Sequence, residues 1–179
     1  ETLNLALLRG YRTGGTIHGR HHVNEARPAA EEPRPAGAPW TPVPLARGTH
    51  GAVVAPHHLA TAAGLSILRA GGSAVDAAIA TNAVLGVVLP NGCGIGGDAF
   101  WLIWDEAVGQ QSALNGSGRA PAAADAAALR ARGQDRSPVR GPLSITVPGA
   151  VRSWGDAHAR HGRLPFSTIL APAIELARD

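Results

Sequence analysis

Apolar positions recur at helical spacing in several segments of this chain and in short unbroken runs in others. Leu59, Ala62, Ala63, Ile67 and Leu68 predict a helix over His57–Ala70, which Gly71-Gly72 ends by supplying a left-handed stop. A second helix is expected at once: Ser73 is a good N-cap and Asp76, three residues on, completes a capping-box pair before Ala77, Ala78, Ala80, Ala83 and Val84 carry it toward Leu89-Pro90. Further helices are predicted over Ala122–Arg132, after Pro121, and over Ala150–His161, with Pro148-Gly149 opening its first turn. The last, Ser167–Arg178, carries Ile169, Leu170, Ile174 and Leu176 and reaches Asp179 with no stop signal, so the polypeptide is expected to continue.

Strand patterns fall between these helices. Ala52–Ala55 reads as a short buried strand halted by Pro56, and Ser112–Leu114 as a second, reached through a polar hairpin at Asp105–Gln111. In Ala99–Trp104, Phe100, Leu102 and Trp104 alternate with Trp101 and Ile103; apolar residues on both faces predict burial on both. Residues 1–47 have no such order. A short apolar patch, Leu3–Leu8, precedes Arg9, Arg12, His18, Arg20, His21 and His22, and a Pro/Ala/Arg stretch follows from Arg27 to Pro44. This is expected to be a flexible Arg/Pro/Ala-rich arm, with 48–179 forming the folded part. A secretory signal places its charge before a longer apolar region, the reverse of the order found here.

Composition narrows the classes. The 179 residues are 45% hydrophobic but only 4% aromatic, so the apolar content is mostly small and buries little area per residue. Either the core relies on close helix packing or part of its partner surface lies on other polypeptide. The longest apolar stretch, Ala74–Leu89, is interrupted by Asp76, Thr81, Asn82 and Gly86, so no membrane span is expected. A lone cysteine, Cys93, excludes an intramolecular disulfide scaffold and a thiolate zinc ribbon. Every one of the 16 basic residues is Arg against 13 acidic residues; a net charge of +3 without a clustered basic face does not point to nucleic acid.

Candidate chemistry is sparse. Gly92, Gly94 and Gly97 satisfy G-x-G-x-x-G, but a dinucleotide fingerprint needs a strand before it and a helix after it, and here the order is reversed. The glycines of residues 91–98 instead offer positive φ and close approach, either as a structural loop or as the wall of a cleft. His57-His58 project about 100° apart on a helix and do not form the i, i+4 pair of a zinc helix. His158 and His161 have only Asp156 as a nearby carboxylate, so no metal is expected. Neither a nucleophile elbow nor a Cys/His arrangement is present.

The order of segments is more specific. LRAGGSAVDAA (Leu68–Ala78), GIGGDAF (Gly94–Phe100), TVPGAV (Thr146–Val151) and GRLPF followed by LAPAIELARD (Gly162–Phe166, Leu170–Asp179) resemble, in order, the N-terminal part of the large subunit of the γ-glutamyltransferase (γ-glutamyl transpeptidase) family. The resemblance covers about Gly51–Asp179. It implies an α+β chain that is part of a four-layer αββα N-terminal-nucleophile hydrolase sandwich. It also implies a precursor that cleaves itself into large and small subunits. A Thr at the small subunit's N-terminus would attack an amide carbonyl with its own α-amine as base, so no cofactor is expected. The implied partners are that small subunit and a small-molecule amide or γ-glutamyl substrate. No catalytic residue is then expected in this chain.

One substrate contact of the family is expected here, and the sequence departs from it. Typical members carry D-x-R-E-x-A-P, whose Arg pairs with the α-carboxylate of the γ-glutamyl group. Aligned on Ala120-Pro121, this chain reads Asn115-Gly116-Ser117-Gly118-Arg119-Ala120-Pro121, with Ser117 at the Arg position. A hydroxyl cannot make the bidentate, charge-assisted pair of a guanidinium. Arg119 shares a face with Ser117 if the segment is extended, and either reaches a substrate carboxylate or pairs with a neighbouring acid or carbonyl. Such a variant resembles the acylase and oxamate amidohydrolase-like branches. Candidate substrate-binding residues are therefore Arg119 and Ser117, with Gly96, Gly97, Asp98 and Gly94 as wall-forming positions. The alternative is an inactive family member that serves as a binding or scaffold protein.

Overall fold

A computed structural model describes residues 48–179, and the arm expected over 1–47 lies outside the described residues. In chain order the elements are α1 (His58–Arg69), α2 (Ala74–Val88), β1 (Ala99–Asp105), β2 (Gln110–Gly116), α3 (Ala126–Ala131), one 3-10 turn (Pro142–Ser144), α4 (Ala150–His161) and α5 (Phe166–Leu176).

The helix boundaries follow from local chemistry. At the end of α1, Gly71 adopts φ +89°, and its N–H and that of Gly72 donate back to the Leu68 and Ile67 carbonyls, the paired bonds of a Schellman stop. Ser73 Oγ accepts from Asp76 N–H at 3.0 Å while Asp76 Oδ2 accepts from Ser73 N–H at 2.8 Å, so the expected capping box starts α2. α3 begins later than expected because Asp125 is its cap, accepting from the N–H groups of Ala127 and Ala128. Pro148 lies outside α4, whose N-cap is Gly149.

α2 is the centre of the molecule. It packs beside α1, against α5 and against α4. Val75, Ala77, Ile79, Ala80, Ala83, Val84 and Leu85 are all buried, as a helix that is apolar on every side must be. Small residues allow the close approach: a Cβ at Gly64 of α1 would overlap Thr81 Oγ1 of α2. The Thr81 hydroxyl donates to the Ala77 carbonyl at 2.7 Å and so enters the core with a partner.

Asp76 has a second role beyond its cap. Fully buried, its Oδ2 also accepts from the N–H groups of Arg163 and Leu164 at 2.9 and 3.2 Å, fastening the α4–α5 connection to the start of α2. Its other oxygen, Oδ1, has no hydrogen-bond partner among the described residues and lies 3.9 Å from His158 Nε2. That nitrogen is also 2.8 Å from the Leu164 carbonyl, which calls for the tautomer that carries its proton on Nε2.

The two strands form an antiparallel hairpin, with Ala99 opposite Gly116 and Asp105 opposite Gln110. Gly109, at φ +62°, closes the turn, and β2 extends beyond the expected Ser112–Leu114. One face rests on α4, where Trp101 Nε1 donates to Ser153 Oγ at 3.0 Å and Trp154 Nε1 in turn donates to Asn82 Oδ1 of α2 at 3.1 Å.

Two expectations are corrected. Within the described residues β1 is half-buried on one face only: Phe100, Leu102 and Trp104 are 53, 71 and 60% exposed, because no layer covers them. Ala52–Ala55 is not a strand. It has no ladder partner among the described residues, and of its valines Val53 is buried while Val54 is exposed.

Candidate functional site

A helix that starts on glycine has no side-chain cap, so the first N–H groups of α4 require an acceptor from elsewhere. The Gly97 carbonyl supplies it, accepting from Gly149 N–H at 3.1 Å and Ala150 N–H at 2.9 Å. This draws the end of the glycine loop onto α4. The next residue, Asp98, accepts from Gly118 N–H through Oδ1 at 2.8 Å, across twenty residues of sequence. The loop and the 115–121 segment are therefore one site.

A third strand of chain completes it. Val147 N–H donates to the Arg119 carbonyl at 2.9 Å, and Asn115 Oδ1 accepts from Ser117 N–H at 2.9 Å in a local turn. Here glycine is required by packing. A Cβ on Gly116 would overlap Ser153 and the Ala99 carbonyl, one on Gly118 the Val147 carbonyl and Thr146, and one on Gly149 the Gly116 carbonyl. Three backbone segments cross where no side chain fits.

Around this junction Ser117 and Arg119 remain exposed, and the Arg119 guanidinium has neither an ion pair nor a hydrogen bond among the described residues. Gly97 and Asp98 adjoin them. Gly94 and Gly96 do not: nothing lies within 4 Å of a Cβ at either, and both are exposed. The expected use of positive φ in this loop is corrected too, because among the described residues the left-handed glycines are Gly71, Gly109, Gly133 and Gly141, none of them between 91 and 98. The loop's ordinary backbone is set by Gly97's bonds to α4, not by left-handed turns.

Other candidate chemistry stays apart from the junction. Burial pushes the Cys93 thiol above its ordinary value, which weakens it as a nucleophile. His57 and His58 stack with ring centroids 4.5 Å apart, and His57 Nδ1 accepts from Leu59 N–H to cap α1. Among the described residues no group of three or more His, Cys, Asp or Glu side chains is placed to hold a metal, and no helix is long and apolar enough to cross a membrane.

Sequence reasoning named Asp98 only as a wall residue and passed over Asn115, Gly116, Gly118 and Gly149. The G-S-G spacing of 116–118 was a usable sign of close approach. The contact between Asp98 and Gly118 has no local signature.

Comparisons with known proteins agree with this arrangement of segments. The family model for gamma-glutamyltranspeptidase matches residues 60–179. The chain is 46% identical over 138 residues to the oxamate amidohydrolase proenzyme of Klebsiella pneumoniae, covering 73% of this chain and 25% of that protein. It is 41% identical over 133 residues to the glutathione hydrolase-like YwrD proenzyme of Bacillus subtilis, covering 74% and 25%. Among solved structures, the cephalosporin acylase from Bacillus halodurans superposes with a TM-score of 0.62 at 46% identity, over 67% of this chain and 22% of that one. The chain thus spans about a quarter of the length of these curated relatives. It belongs to the gamma-glutamyltranspeptidase family.

Proposed function

We propose that residues 48–179 are the N-terminal portion of the large subunit of an autoprocessed amidohydrolase or acyltransferase. The observation that carries this reading is the family match over residues 60–179, with relatives at 41 and 46% identity that are themselves named proenzymes. The intact protein is a four-layer αββα sandwich, in which the hairpin β1–β2 is one piece of one sheet. A small subunit cleaved from the same precursor supplies an N-terminal Thr. Its hydroxyl oxygen bonds to the substrate's amide carbonyl carbon while its α-amine takes the hydroxyl proton. Backbone N–H donors stabilise the oxyanion, the amine leaves with the proton, and the acyl group passes from Thr to water or to an acceptor amine.

The substrate reading rests on the junction. Ser117 stands where typical members carry the carboxylate-binding Arg, and Arg119, exposed two residues on, directly follows Gly118, whose N–H donates to Asp98. We assign Arg119 and Ser117 to the substrate pocket, Gly97 and Asp98 to its wall, and the substrate to carboxylate-bearing amides of the acylase and oxamate type in preference to glutathione. The resemblance to an oxamate amidohydrolase and to a cephalosporin acylase supports this choice.

The test uses the full-length product. Two bands on a denaturing gel, with Thr at the N-terminus of the smaller, are expected. A single uncleaved band would turn the reading toward a scaffold. Hydrolysis of γ-glutamyl-p-nitroanilide, glutaryl-p-nitroanilide and oxamate is then compared side by side. Arg119→Ala is expected to raise KM about tenfold or more for the carboxylate-bearing amide that is turned over fastest, while self-cleavage is unchanged.

A further inference from the structure

We infer that Asp98 is a positioning residue for the substrate pocket, acting through the Gly118 amide to set where Arg119 reaches. The inference rests on the assignment of Arg119 to that pocket and adds the device that holds it there.

Arg119 is a long side chain on a segment without regular secondary structure, and such a side chain discriminates between substrates only if its backbone is held. Two long-range hydrogen bonds hold it. Val147 N–H donates to the Arg119 carbonyl from one side, and Asp98 Oδ1 accepts from Gly118 N–H at 2.8 Å from the other. The first is backbone to backbone and belongs to the chain path. Asp98 contributes the only side chain to this pair of bonds. It directly precedes β1, next to the residue whose carbonyl receives the N–H groups of the α4 N-cap Gly149 and of Ala150. Gly118 follows the last residue of β2 by two.

The chemistry of the bond fits this role. A carboxylate accepting from a backbone N–H makes a charge-assisted bond stronger than its neutral counterpart. Asp98 forms no ion pair among the described residues, and its Oδ2 accepts no hydrogen bond there. A Cβ at Gly118 would meet the Val147 carbonyl and Thr146, so the segment is closed against 146–147 on one side and restrained by Asp98 on the other. Release of the Asp98 contact removes the side-chain hydrogen bond that precedes Arg119 and leaves the bond at its carbonyl.

The experiment compares full-length processed wild type with Asp98→Ala, Asp98→Asn, Arg119→Ala and the Asp98→Ala/Arg119→Ala double variant. Each is assayed for kcat and KM on whichever of γ-glutamyl-p-nitroanilide, glutaryl-p-nitroanilide or oxamate the wild type hydrolyses fastest. Asp98→Ala is expected to raise KM about tenfold with kcat within about twofold, the loss of one charge-assisted hydrogen bond. Asp98→Asn, whose amide oxygen still accepts from Gly118, is expected to bring KM back to within about threefold of wild type. In the Arg119→Ala background the Asp98→Ala change is expected to add less than about twofold, since residues that act through one another are not additive. Additive effects, a loss confined to kcat, or an Asn variant as impaired as Ala would overturn the inference. If Arg119→Ala raises KM and Asp98→Ala does not, the positioning role fails alone. If Arg119→Ala leaves KM unchanged, the pocket assignment fails and the inference with it. Should Asp98→Ala fail to self-cleave, Asp98→Glu replaces it, and KM must rise with Glu, which displaces the acceptor by a methylene, and not with Asn.

Discussion

The helical part of this molecule and its hairpin-and-loop part use apolar residues in opposite ways. In α1, α2, α4 and α5 most apolar residues are buried or half-buried within the chain, Leu59, Val151 and Ile174 being exposed, and Ile79, Leu85 and Ile169 are fully buried. In β1 and in the segment leading to α4, apolar residues are patterned with equal regularity but stand in the open: Phe100, Leu102 and Trp104 on the sheet, then Leu143, Ile145 and Val147 at alternate positions. The two parts differ in where their partners lie. A regular apolar face without a cover, in a chain spanning about a quarter of its relatives, supports the view that other polypeptide supplies that cover.

The largest effect that would break this contrast is expected at Asp76. Asp76→Ala removes the acceptor for three backbone N–H groups, one buried and two part-buried, so a loss of about 3–5 kcal/mol is expected in the denaturant unfolding of the full-length protein. A loss near 1 kcal/mol would mean that the helical part is not held by its buried carboxylate. Leu85→Ala is next, at about 3 kcal/mol, the transfer and cavity cost of a fully buried leucine.

Leu102→Ala sharpens the comparison directly. If the open sheet face is covered in the intact protein, as we propose, this substitution costs about 2 kcal/mol there and approaches the core values. A cost below about 0.5 kcal/mol would show that the face stays in water. Smallest is the effect at Cys93, beside the glycine loop. Its raised pKa leaves less thiolate at pH 8, so iodoacetamide is expected to modify the folded protein a few-fold more slowly than the urea-unfolded chain. Equal rates would place the thiol in a more open loop than the one described.

Much of the helical part was legible in the sequence because its determinants are local. Ser73 and Asp76 are three residues apart, Gly71-Gly72 directly follows the last turn of α1, and α4 spans the Ala150–His161 expected after Pro148-Gly149. The late start of α3 was legible too, had Asp125 been weighed as a cap ahead of Pro121. The strand expected at Ala52–Ala55 failed for a nonlocal reason: β-propensity describes a residue's fit to a sheet, and a sheet exists only where a second strand arrives. Burial on both faces of β1 is a property of layers, which apolar content suggests and neighbours decide.

The site divides along the same line. Sequence alone determined the order of its parts and the identities of Ser117, Arg119 and the glycines beside them. These are statements about residue identity and spacing. Tertiary structure decided that the Gly97 carbonyl caps α4, that Asp98 holds Gly118, and that Asp76 ties the α4–α5 connection to α2. Each of these contacts satisfies a backbone N–H that local structure left without an acceptor. The need for a partner can be read from a helix that begins on glycine or from a segment without regular structure. Which residue, twenty or more positions away, supplies it depends on how the packed elements are oriented.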